Sequence, residues 1–230
     1  MLGDGTDTLT NVEMLQFSDR SVRIADLALP VMGSEGNDKL VAPAGNVTID
    51  AGAGLDTVAF AGRAAEFSIK IDNGSATVTG RGIADVLVNV ERISFSDATV
   101  ALDVGSGHAG QLFRLYEAAF QRVPDKEGLG FWLGALDNGH APLDSIARSF
   151  ITSPEFLQRY GETDNATFLT LVYQNVLGRA PDAEGFAWHL NNLEQGLPRE
   201  RALLDFSESI EFTASLVGTV ANGVQYVPFA

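Results

Sequence analysis

The chain has 230 residues, 45% of them apolar and 20% charged, so it is long enough for two domains with real cores and is not globally disordered. Thirty acidic against 15 basic residues give a formal charge of −15, which makes nucleic acid and anionic lipid poor partners and leaves Ca²⁺ and cationic surfaces as plausible ones. There is no cysteine, hence no disulfide framework or thiol chemistry, and no apolar run approaches the ~18 residues of a membrane span.

The start, Met1-Leu-Gly-Asp-Gly5, has neither a basic n-region nor an apolar h-region, which reads as export without an N-terminal signal, a cytosolic protein, or a fragment. The segment Asp7–Val22 returns further along as Asp85–Val100, with Asp, Leu, Asn, Val, Glu, Phe, Ser, Asp and Val in place. The second copy closes a unit that begins near Met32, so the first reads as the end of an earlier unit. Glu13 and Glu91, paired by that repeat, are expected to be structural groups on a strand edge.

Gly36, Gly45 and Gly54 stand nine residues apart, each followed four residues later by an aliphatic: Leu40, Ile49 and Val58. So short a period cannot be a helix pair and predicts short strands joined by tight glycine turns. Asp38 and Asp56 precede two of the aliphatics, whereas Val47 occupies the middle window. If two nine-residue windows make one coil, the two aspartates stack on one side of neighbouring coils. Facing carboxylates repel unless a cation lies between them. Ordinary glycine turns, with the aspartates bonding their own backbone, are the competing reading.

Further on, Phe67–Asp72 alternates apolar and polar, Asp72-Asn-Gly74 is a hairpin turn, and Ala76–Thr79 is the return strand. The segment Asn89–Val100 alternates as well, with Val90, Ile93, Phe95 and Val100 as expected core. From His108 the period changes to that of a helix. Leu112, Leu115, Tyr116, Ala119 and Phe120 make one helical face, and Leu169, Val172, Tyr173, Val176 and Leu177 repeat its spacing. Each helix is followed by the same punctuation, Arg122-Val-Pro-Asp-Lys-Glu-Gly128 and Arg179-Ala-Pro-Asp-Ala-Glu-Gly185. Asp125 and Asp182 are placed to cap the next helices, which stop near Gly139 and Gly196. Ser153-Pro-Glu-Phe156 and Ser209-Ile-Glu-Phe212 start a last short helix in each copy.

The nonapeptide spacing resembles the calcium-binding repeat of RTX (hemolysin-type) proteins. That resemblance implies a parallel β-roll with Ca²⁺ held by Asp38 and Asp56 and by carbonyls of the turns carrying Gly33, Gly36, Gly52 and Gly54. The tandem pattern Tyr-x3-[Phe/Leu]-x-Arg-x-Pro-Asp-x-Glu-Gly, with its Trp-bearing helix and closing Ser-x-Glu-Phe, resembles the DUF4214 family over roughly residues 110–215. It is distantly similar to phycobilisome linker domains. The family implies a helical module joined to RTX repeats in large secreted or surface proteins, with no established activity.

The expected fold is therefore α+β in separate parts. Residues 1–107 form a short parallel β-roll with antiparallel capping strands, 108–217 an all-α tandem repeat, and 218–230 a tail. The tail region is free of lysine and arginine from Ala202 onward, which suits an uncleaved type I secretion signal and equally a frayed terminus. The expected function is non-enzymatic. The chain would be a calcium-binding region of a bacterial secreted or surface protein that folds on Ca²⁺ and serves recognition or assembly, with a surface layer, a matrix polysaccharide or another protein as partner. The alternative is an accessory or catalytic region of a secreted glycan-active enzyme. Arg122, Asp125, Glu127 and their copies Arg179, Asp182 and Glu184 could make a glycan or ion site, but capping and an arginine salt bridge account for them. The histidines His108, His140 and His189 share no ligand spacing, so zinc has little support.

Overall fold

A computed structural model describes residues 14–16, 18–19, 21–23 and 30–229. It has a sheet region followed by eight helices, the order expected from the change of period.

The short strands β1 (Met14–Gln16) and β2 (Ser21–Arg23) pair antiparallel, with Met14 opposite Arg23. Next come β3 (Val31–Ser34), β4 (Lys39–Val41), β5 (Thr48–Gly52) and β6 (Thr57–Ala59). β3 lies parallel to β5 with Val31 opposite Ile49, and β4 lies parallel to β6 with Leu40 opposite Val58. Each pairing joins positions two nine-residue windows apart, so two windows make one coil. Alternation then sends Ile49 and Ala51 of β5 into the core while Thr48 stays outside.

A hairpin of β7 (Phe67–Asp72) and β8 (Ser75–Gly80) interrupts the period, turning at Asn73 and Gly74, both with positive φ. The chain then resumes its course. β9 (Ile83–Val88) lies parallel to β5 with Leu87 opposite Ile49, and β10 (Arg92–Ser94) lies parallel to β6 with Ile93 opposite Val58. β11 (Thr99–Ala101) folds back on β10 with Arg92 opposite Ala101. The same register pairs β1 with β2 in the earlier copy of the sequence repeat, where Met14 and Arg23 hold the places of Arg92 and Ala101. The two five-stranded sheets run β3-β5-β9-β8-β7 and β12-β11-β10-β6-β4, where β12 is Val224–Tyr226. Ile49, Val58, Val78, Leu87 and Ile93 fill the core, and Phe60, Phe67 and Phe95 close one end as an aromatic cluster.

The helices are α1 (His108–Phe120), α2 (Lys126–Asp137), α3 (Leu143–Ile151), α4 (Pro154–Tyr160), α5 (Asn165–Leu177), α6 (Ala183–Glu194), α7 (Arg199–Ser207) and α8 (Ile210–Leu216). α5–α8 repeat α1–α4 helix for helix at equal lengths, and the faces expected from spacing are the buried ones. α7 packs on α1 and α3, which joins the two copies into one core around Leu112, Leu115, Phe150, Phe168, Leu169 and Leu203. Among the described residues no helix is long and apolar enough to cross a membrane.

The sheet and helical regions are not independent in sequence. After α8 the chain returns to the sheet as β12, antiparallel to β11, with Gln225 opposite Val100. The Ile71 N–H donates to Ala221 O (3.1 Å) and the Val227 N–H donates to Lys126 O at the start of α2 (3.0 Å). Gly130 of α2 is what lets the strand approach, since a Cβ there would run into the carbonyl oxygen of Val227.

Candidate functional site

The turns Gly33–Asp38 and Ala51–Asp56 join β3 to β4 and β5 to β6, and the two-window offset of the strands stacks one turn on the other. They touch through backbone. Ala53 N–H donates to Ser34 O (3.1 Å) and Thr57 N–H to Asp38 O (2.9 Å). A Cβ on Gly33 would strike the carbonyl of Ala51, and one on Gly52, whose φ is +90°, would strike that of Ser34. Gly54, with φ +145°, sits against Gly36 in the same way, whereas Gly36 itself has open space around it.

Asp56 has no exposed surface. Its Oδ1 accepts the backbone N–H of Asp38 (2.7 Å), and its Oδ2 is buried with no hydrogen-bond partner. Asp38 is half-buried, and its Oδ2 accepts the N–H (2.6 Å) and hydroxyl (2.8 Å) of Ser34 in its own turn. The two aspartates thus occupy adjacent coils at matching positions, but each carboxylate addresses backbone, and Asp38 makes the local bond of a simple glycine turn.

The pattern continues beyond the pair. Glu91 accepts the N–H of Asp56 (2.9 Å), so Glu91, Asp56 and Asp38 form a ladder in which each acid reaches the backbone one coil earlier or, at its end, its own turn. On the opposite flank Asp85 does the same to Val47 (3.0 Å). Asp85 is also fully buried, and its Oδ2 also lacks a partner. Asparagines answer in the other direction: Asn37 Oδ1 accepts from Leu55 N–H (2.9 Å) and Asn46 Oδ1 from Ala84 N–H (2.8 Å). Burial raises the proton affinity of Asp85 above the ordinary aspartate value. Burial does the same for Glu91, with the nearby Asp56 and Asp103 charges adding to it.

Spacing alone does not bring Asp85 into this set, because the β7–β8 hairpin displaces it from the nine-residue register. The available signal is its place at the head of the long sequence repeat, opposite Asp7, which lies outside the described residues with Glu13. Glu91 is the edge group expected from sequence, with a specific partner in the Asp56 N–H.

An ionised carboxylate with one buried, unpaired oxygen is costly unless a charge compensates it. Oxygen donors of carboxylate and carbonyl type suit a hard cation such as Ca²⁺. Among the described residues no three His, Cys, Asp or Glu side chains converge on one point, so backbone carbonyls would have to provide most of a coordination shell. Asp56 Oδ2 and the side-chain-free cradle of Gly33, Gly52 and Gly54 fit such an arrangement.

In the helices the residues of the possible second site are occupied structurally. Arg122 holds Glu155 through two bonds (2.7 and 3.0 Å) and lies over the Tyr116 ring, while Asp125 caps α2 at Gly128 N–H (2.7 Å). Arg179 holds Glu211 (2.9 and 3.0 Å) over Tyr173, and Asp182 caps α6 at Gly185 N–H (2.7 Å). The Arg122 bonds hold Glu155 below the usual carboxylate range. Glu127 and Glu184 are exposed in the first turns of α2 and α6. Trp132 packs edge-on against Phe150, whereas Trp188 is exposed.

Residues 147–216 match the family described as a domain of unknown function, DUF4214. The match spans the second helical copy and the end of the first. No protein of curated function matches the chain.

Proposed function

We propose that the chain is a calcium-responsive, non-enzymatic module whose sheet region is a short β-roll of the RTX kind. The observation that carries this reading is Asp56, a carboxylate with no exposed surface and one unpartnered oxygen, at the end of a turn whose glycines Gly52 and Gly54 lie backbone to backbone against the turn before it. Parallel strands offset by two nine-residue windows support the roll itself.

Bound calcium would supply the positive charge that the buried Asp56 carboxylate lacks. Asp56 and Asp38 would be its carboxylate donors, with carbonyls of the Gly33–Gly36 and Ala51–Gly54 turns beside them. Gly33, Gly52 and Gly54 let the two turns lie backbone against backbone, which brings their carbonyls together, and Asn37 fixes the spacing through Leu55 N–H. In the absence of cation, charge on Asp56 and on the nearby Glu91 opposes closure of the coil. With a net charge of −15 the whole chain adds to that opposition. Extracellular modules bind Ca²⁺ at about 10⁻⁴–10⁻³ M, so the reading places the protein outside the cell or on its surface. The helical repeats would then serve recognition or assembly, with a surface layer, polysaccharide or protein.

Thermal unfolding in excess calcium and in chelator tests the reading. The melting temperature should rise with calcium, by the equivalent of about 2.7 kcal/mol at ~100 times Kd. Asp56→Asn should remove most of that rise while retaining the acceptor for Asp38 N–H, and Asp38→Ala should reduce it. Equal melting in both buffers, or an undiminished rise in Asp56→Asn, would refute calcium at these turns.

A further inference from the structure

Where the third course of the sheet region meets the helices lies a cavity of about 750 Å³. Val90 and Leu102 form apolar wall on the sheet side, and Phe113, Leu216, Val217 and Val220 on the helix side. Five charged or titratable side chains also reach it: Glu91, Asp103, His108, Arg114 and Asp137.

Four of these are already engaged. Asp103 and Asp137 both bind Arg92, and Asp137 also meets His108 Nδ1 (2.7 Å). Arg114 bonds Glu208 through two nitrogens and donates to the Gly105 carbonyl (2.7 Å). Glu91 differs. One of its oxygens accepts the Asp56 N–H; Arg92, committed to Asp103 and Asp137, reaches only the Glu91 backbone carbonyl (2.8 Å), and among the described residues no lysine, arginine or histidine ion-pairs with the Glu91 carboxylate.

A cavity of this volume suits a small molecule, and a mostly apolar lining with few polar groups fixes both body and head of its ligand. We propose that this cavity binds a small organic cation, an ammonium group on an apolar body, with Glu91 as its counter-ion. An anion would meet the one carboxylate here that no cation pairs, since Asp103 and Asp137 are held by Arg92 and Arg114 by Glu208. A neutral ligand would desolvate Glu91 without pairing it, which is the costly case for a buried charge. An ammonium donates charge-assisted hydrogen bonds to the oxygen that the backbone leaves unused, in a site where water screens the pair poorly. Gly54 and Leu55 of the Ala51–Asp56 turn also line the cavity and Glu91 bonds the Asp56 N–H, so binding is read both with calcium and without it, and a failure of the calcium reading leaves the arm in chelator to test this one.

Calorimetric titration of the whole chain with phenethylamine, phenethyl alcohol and phenylpropionate separates the cases, in calcium and again in chelator. The amine should bind about tenfold or more tightly than the alcohol in at least one buffer, with the carboxylate weakest. Glu91→Gln, which keeps an acceptor for Asp56 N–H, should bring the amine down to the affinity of the alcohol. Val217→Trp, at the helical rim and away from the ladder, should weaken all ligands that bind. The proposal is overturned if no amine binding is measurable in either buffer, if the three ligands bind alike, or if Glu91→Gln keeps the preference for the amine.

Discussion

Asp85 shows what a single buried acid does to this chain. Its Oδ1 has a backbone partner and its Oδ2 has none, so ionisation leaves charge on an oxygen that neither water nor protein satisfies. Burial raises its proton affinity in the folded state above that of the unfolded chain. The stabilisation by Asp85 is complete at low pH, where both states hold the proton, and is lost as pH rises through the raised folded value. Asp85→Asn keeps the acceptor for Val47 N–H and removes the charge. In chelator at pH 7 it should stabilise the protein, by about 1–3 kcal/mol on the scale of an unsatisfied buried polar group. The advantage should shrink as pH falls into the ordinary carboxylate range. Urea unfolding at neutral and mildly acid pH reads this directly, and equal destabilisation at both would mean that the Asp85 charge is compensated after all.

Elements repeat more faithfully than residues do, and the exceptions are informative. The helical repeat keeps Tyr, Arg, Asp and Gly in the same contacts, but Trp132 of α2 becomes His189 of α6. His189 packs between Tyr173 and Phe206 with Nδ1 buried and unpartnered, and burial lowers its proton affinity. The neutral ring contributes stability that is complete above the ordinary histidine value of ~6.5 and is lost as pH falls toward the lowered one. His189→Phe should therefore flatten the decline of melting temperature between pH 7 and pH 5, and an unchanged slope would rule this residue out as its source. The helices were legible in the sequence because a helical period, proline stops and capping aspartates are all local signals. Coil register was legible too, since glycines at a fixed interval set it. The partners of the ladder were not. Asp85 meets Val47 across 38 residues only because a hairpin is inserted between them, and no local pattern encodes that. β12 escaped for a related reason: three residues form a strand there because β11 offers an edge and Gly130 leaves room.

At the scale of the whole molecule, the sheet and helical regions are joined by Arg92. It stands on β10 with 3% of its side chain exposed, between β6 and β11, and its guanidinium holds Asp103 after β11 and Asp137 at the end of α2 (2.9 Å). Asp103 in turn accepts the Ala109 N–H (3.3 Å) in the first turn of α1, so one cation orders the start of α1 and the end of α2 against a strand. Removing it would leave Asp103 uncompensated and Asp137 with His108 alone, a loss of about 3–5 kcal/mol for a broken buried pair. Arg92→Leu fills much of the space without the charge and isolates that effect. Trp132 and Trp188 both lie in the helical region, so their fluorescence follows helices alone, while amide exchange of Ile49 and Val58 follows the sheets. In the unsubstituted protein the two probes should report one cooperative transition. In Arg92→Leu they should separate, the sheets opening at lower denaturant than the helices, because the backbone links that remain, β12 on β11, Ile71 N–H to Ala221 O and Val227 N–H to Lys126 O, include no buried ion pair. Coincident probes with a loss below about 1 kcal/mol would place the coupling in β12 instead of the buried guanidinium.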